Sequence, residues 1–86
     1  MHPLIKLEEF LKESFATKCN YKNMSVLRAY FHAAANSPEG LDEKFVLGYI
    51  DTYAQRNNVS ASLVSCLKYD VSQELKDFTE LPGGCR

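Results

Sequence analysis

The chain has 86 residues, 45% of them hydrophobic and 24% charged, with a formal net charge of −1. That size and balance describe one globular domain with a core of its own, and exclude a disordered segment. The near-neutral charge excludes the global basic bias of a non-specific nucleic-acid binder, so any DNA contact has to come from a local patch.

Three cysteines, Cys19, Cys66 and Cys85, are an odd number without CxxC spacing. They predict no disulfide framework and a reducing compartment. MHPLIKLEEF has no apolar run of signal-peptide length, and no stretch is long enough to span a bilayer. The expected location is cytoplasmic, with no membrane partner.

In chain order, Pro3 suits a first helical turn and opens a helix to about Thr17. Leu4, Leu7, Leu11 and Phe15, with Phe10 beside them, form its buried stripe, and Glu8 and Lys12 make a favourable pair four residues apart. KCNYKN (18–23) is a polar loop whose last residue, Asn23, can cap the next helix. That helix, Met24–Ala35, is expected to bury Met24, Leu27, Phe31 and Ala34, with Val26 and Tyr30 on its shoulder and His32 outside.

NSPEG (36–40) is the strongest break. Ser37, Pro38 and Glu39 read as a cap, a first-turn proline and an early acid, and so open the third helix. At 100° per residue, the apolar side chains of Leu41–Asn57 cover roughly two-thirds of the helix surface. They are Leu41, Phe45, Val46, Leu47, Tyr49, Ile50, Tyr53 and Ala54. So wide an arc predicts a central helix covered on several sides, with Gly48 marking a close crossing or a bend. Asn57-Asn58 ends it, because asparagine tolerates the left-handed conformation.

Ser60 caps the last helix, whose Leu63, Val64, Leu67, Val71, Leu75, Phe78 and Leu81 share one face. Asp70 with Gln73 also makes a capping box, so this segment reads either as one helix to about Leu81 or as two that break near Tyr69. Residues 82–86, PGGCR, form a frayed tail with an exposed Cys85. The fold class is all-α: a compact bundle of four helices, or five with the break, arranged around 41–57. It is a single domain over residues 1–81.

Ala54, Asn58, Val59, Ser60, Val64 and Leu67 carry a further pattern. Their spacing resembles the helix-turn-helix signature of bacterial repressors, in which a small residue lets two helices cross closely and the apolar positions close their shared core. The resemblance covers residues 54–67, about 14 of the 86, within a segment 50–69 that would form the DNA-binding unit. It implies a transcriptional regulator reading DNA through Ala61, Ser62, Ser65 and Cys66, with Arg56 and Lys68 on phosphates. This chain has Asn58 where the signature usually has glycine. Small side chains stand where Arg, Asn or Gln would read base edges.

Catalytic patterns are absent. His2 and His32 are the only histidines, and neither has Cys, Asp or Glu at metal-ligand spacing. The carboxylate pairs Glu8/Glu9, Asp42/Glu43 and Asp77/Glu80 lie at helix starts or on outer faces, and no phosphate-cradling glycine motif occurs. No enzyme activity, cofactor, metal or small-molecule substrate is expected. Cys66 reads as a small residue at the core edge.

Five tyrosines in 86 residues exceed what the core needs. Tyr21 and Tyr69 fall outside the buried stripes, Lys76 flanks Tyr69 on its helix, and Leu47 lies at the margin of the central arc. These four are the candidate protein interface. The leading expectation is a small non-catalytic binding or regulatory protein that docks on a protein partner or on itself as a homo-oligomer. Nucleic-acid binding through the helix-turn-helix is second, and a structural subunit of a larger assembly is third.

Overall fold

The computed structural model describes residues 2–80; the expectations for Leu81, Cys85 and the 82–86 tail lie outside them. Among the described residues there are four helices: α1, Leu4–Ala16; α2, Met24–Ala35; α3, Glu43–Arg56; and α4, Ala61–Glu80. The described residues are all-helical or connecting loop, as the periodicity predicts. α4 runs unbroken past Tyr69, so the reading with a fifth helix is not realised. Asp70 is held instead by an ion pair with Lys22, 3.1 Å long.

Apolar stripes drive the assembly. Leu7, Phe10 and Leu11 of α1 and Leu27, Tyr30 and Phe31 of α2 are at most 2% exposed. They meet Val46 and Ile50 of α3 and Leu67, Val71 and Leu75 of α4 in one continuous core. The closest backbone pairings are α1 with α2 and α3 with α4, and α2 also meets α4. These are two helical hairpins joined along α2 and α4 rather than three helices set around 41–57. α3 accordingly buries only Val46, Ile50 and Ala54 of its wide apolar arc, and leaves Phe45 49% exposed. Gly48 is open to solvent with no atom near its absent Cβ, so it marks no close crossing.

Helix ends explain the remaining boundaries. α1 stops at Thr17, where the Cys19 and Lys18 amides donate to the carbonyls of Ser14 (2.8 Å) and Phe15 (3.0 Å). Lys18 and Cys19 both take the left-handed conformation, at φ 53° and 62°. This is the paired-bond helix stop that glycine usually supplies, here built on lysine. The 37–40 segment is a turn rather than a helix start. The Gly40 amide donates to the Ser37 carbonyl (3.1 Å), and Gly40 sits at φ 77°, which no helix can continue through. Ser37 closes α2 instead, its hydroxyl donating to the Ala34 carbonyl at 2.8 Å. The cap of α3 is Asp42, whose Oδ1 accepts from the Lys44 amide at 3.1 Å. Asn23 precedes α2 without a side-chain capping bond.

Cross-links between the hairpins are few and specific. Arg28 Nε of α2 donates to Glu74 Oε2 of α4 at 2.7 Å. Phe78 packs beside Phe31 with 5.4 Å between ring centroids, and edge-on to His32 at 4.9 Å. α1 meets α3 through stacked Phe15 and Tyr53 rings and through the Tyr49 hydroxyl, which donates to Glu8 Oε2 at 2.6 Å. Glu8 thus reaches across to α3 rather than to Lys12.

Burial, and then the bond to Glu8, push the Tyr49 hydroxyl up to about 12. The unfolded chain ionises this group near pH 10, so the folded state holds its proton longer. The resulting stability is complete below pH 10 and is lost as pH rises through 12. Tyr49→Phe should therefore flatten the fall in stability between pH 10 and pH 12, measured by urea unfolding at each pH. A second test concerns Ser14, which is fully buried with no hydrogen-bond partner for its hydroxyl. Ser14→Ala should stabilise the protein by about 1 kcal/mol, because it removes an unpaired buried hydroxyl.

Candidate functional site

An open groove of about 800 Å³ lies between α3 and α4, beside the turn that joins them. The turn is fixed by the same paired bonds that end α1. Val59 and Asn58 amides donate to the carbonyls of Ala54 (3.0 Å) and Gln55 (3.4 Å), with Asn58 at φ 56°. The left-handed asparagine expected from the sequence is thus present. It lets the chain reverse tightly enough for Ala54, Val59 and Val64 to form the groove floor, while Leu67 is wholly buried beneath. Ser60 starts α4, its carbonyl accepting from the Val64 amide at 3.1 Å and its hydroxyl facing the Leu63 amide at 3.5 Å.

Leu47 from α3 and Tyr69 from α4 line this one groove. Leu47 is half-buried against the core and Tyr69 is 65% exposed. One ion pair spans the trough: Lys68 Nζ lies 2.9 and 3.1 Å from the two Asp51 carboxylate oxygens. The pair joins residues seventeen apart on different helices, so it has no local signature in the sequence. Lys76, two turns after Tyr69 on the same face of α4, borders an adjoining recess of about 240 Å³ with Leu41 and Glu43. Ser72 lines both recesses and joins them. Tyr21 is 53% exposed in the α1–α2 loop and lines neither.

The helix-turn-helix residues divide. Ala61, Ser65 and Lys68 line the groove. Arg56 is exposed at the end of α3, and Ser62 is exposed beside Ser60, with 3.4 Å between their hydroxyl oxygens. Cys66 is exposed rather than a core-edge residue, because α4 turns the face carrying it away from α3.

Two features escaped sequence reading. Phe45 and Ile5 are about half exposed, and Phe45 rims a recess of about 410 Å³ with Leu4, Tyr30 and Asp42. An apolar residue on an apolar arc gives no sign that its side of the helix is left uncovered. Among the described residues, no group of three or more His, Cys, Asp and Glu could hold a metal, and no helix is long and apolar enough to cross a membrane.

The groove presents a mixed apolar and polar lining without an unpaired charge. Its single carboxylate is tied to its single ammonium, and the rest of its lining is aliphatic, aromatic, hydroxyl or amide. No known protein family, curated protein or solved structure matches this chain.

The turn itself can be tested. A β-branched residue is strained at a left-handed position, so Asn58→Val should lower stability by about 1–2 kcal/mol, whereas Asn58→Gly should not. Chemical denaturation of the two variants checks this.

Proposed function

We propose that the protein is a non-catalytic helical docking domain, working in the cytoplasm, that binds a protein partner or a second copy of itself through the α3–α4 groove. Leu47 and Tyr69 are its anchors and Lys76 its charged edge. The observation that carries this reading is their convergence: an aliphatic side chain half-buried at the core's edge and an exposed aromatic one, from separate helices, line one open trough. Tyrosine joins apolar area to a polar tip and is enriched where interface energy concentrates. Asp51 and Lys68 give the trough a neutral charged rim, which sets register more than affinity.

A second reading, a helix-turn-helix transcriptional regulator, is favoured by the corner itself: Asn58 is left-handed, Leu67 is in the core with Val64 packed against it, and Val59 lines the groove beside Val64. Its weakness is electrostatic. Asp51 neutralises Lys68, which leaves Arg56 as the cation for phosphate. A structural subunit of a larger assembly would use the same groove permanently occupied.

Sedimentation equilibrium, with cross-linked capture of partners, separates these readings when run on the parent, Tyr69→Ala and Leu47→Asp. Docking predicts at least about a tenfold loss of self-association or partner binding in both variants, equivalent to about 1.4 kcal/mol, with unchanged helicity. Tyr69→Ala guards the test, since that side chain contributes little to the core. Unchanged association in both variants would overturn the reading. So would micromolar, salt-sensitive binding of random duplex DNA that Lys68→Glu abolishes.

A further inference from the structure

Cys19 and Cys66 stand 47 residues apart in sequence, one in the α1–α2 loop and the other on α4. The fold brings them to one place. The Cys19 thiol points at α4, with Sγ 3.7 Å from the Leu63 carbonyl oxygen. Three residues further on, Lys22 clamps the same loop to the same helix. Its Nζ donates to the Cys19 carbonyl at 2.7 Å and pairs with Asp70 at 3.1 Å. Leu63, Cys66 and Asp70 follow a 3-4 spacing and share one face of α4. Cys66 therefore occupies the turn between the two points that the loop touches. The Cys19 thiol thus lies against the turn of α4 that carries Cys66.

We propose that Cys19 and Cys66 form a disulfide when the folded protein meets a peroxide, making this pair an oxidation site that staples the α1–α2 loop to α4. Cys66 is exposed and Cys19 only partly so, which assigns the order of events. The Cys66 thiolate attacks one peroxide oxygen; the O–O bond breaks, water leaves, and Cys66 becomes a sulfenic acid. The Cys19 sulfur then attacks the Cys66 sulfur, the S–O bond breaks, and a second water leaves with the Cys19 proton. Each sulfur is oxidised by one electron, and hydrogen peroxide is reduced to two waters. Burial first, and then the neighbouring Cys66, hold the Cys19 thiol above its ordinary pKa. That fits Cys19 as the resolving rather than the initiating thiol.

The ion pair of Lys22 with Asp70 gives the site a fixed geometry before oxidation. Closing a long loop constrains the unfolded chain, so the linked form should also resist heat.

The test is to treat the reduced full chain with limiting hydrogen peroxide, then digest it without reductant and map the linked peptides by mass spectrometry. The expected result is that most of the disulfide joins Cys19 to Cys66, and that reduction reverses it. Thermal melts should place the linked form roughly 10 °C above the reduced one. In Cys19→Ser, dimedone should trap a sulfenic acid on Cys66; in Cys66→Ser, Cys19 should react at least about tenfold more slowly. Disulfides mainly to Cys85 or between chains would overturn the proposal. A linked form that melts below the reduced one would overturn it too, because it would mean that the bond forms only in a distorted chain.

Discussion

Burial of one face of α4 is the constraint on which the structure depends. Leu67, Val71 and Leu75 on that face are at most 4% exposed. α3 returns along α4 from the tight turn at Asn58, α2 meets it through Phe31 and Phe78, and the α1–α2 loop is pinned to it by Lys22. Each buried side chain on that stripe contributes about 1.5–3 kcal/mol as an upper estimate, whereas an exposed ion pair such as Arg28–Glu74 is worth about 0–1 kcal/mol. The apolar face therefore sets where the helices lie, and the charged pairs choose among nearby registers. The groove follows from the same constraint. α3 and α4 close around Leu67 on the inner side, and the outer edges of the two helices diverge over Ala54 and Val64.

Much of this was legible in the residues. The stripes Leu7–Phe10–Leu11 and Leu67–Val71–Leu75 are periodic, and periodicity is all that burial of one helical face requires. Asn58 announced the end of α3, because few other side chains accept the left-handed region. The corresponding stop after α1 was less visible. It uses Lys18 and Cys19, neither of which is a usual left-handed residue; Cys19 is bonded there by Lys22 through its carbonyl and by its thiol to the Leu63 carbonyl of α4. The 37–40 segment was misleading for a different reason. Serine, proline and an acid satisfy a reverse turn and a helix start equally well, and the conformation of Gly40 decides between them.

The same division holds for the candidate site. Leu47 at the margin of its apolar arc and Tyr69 outside the buried stripe can be singled out from the sequence, yet their meeting in one groove depends on how α3 lies on α4, which no local pattern encodes. The width of α3's apolar arc suggested a helix surrounded by neighbours. In a molecule of two hairpins only part of that arc finds cover, and Phe45 is left at the surface. Cysteine spacing predicts no disulfide framework but is silent on whether the Cys19 thiol would come to lie against the helix that carries Cys66.

The hairpin arrangement also bears on how the chain reaches its fold. α1 pairs with α2 and α3 with α4, each with its immediate neighbour in sequence. Most of the closure entropy is thus met over short loops before any distant pairing is required. The contacts that span longer distances, Tyr49 with Glu8 and Arg28 with Glu74, join elements that can each already be helical. Such a topology belongs with the fast-folding helical bundles, and it leaves little time for an unpaired apolar face to find the wrong chain.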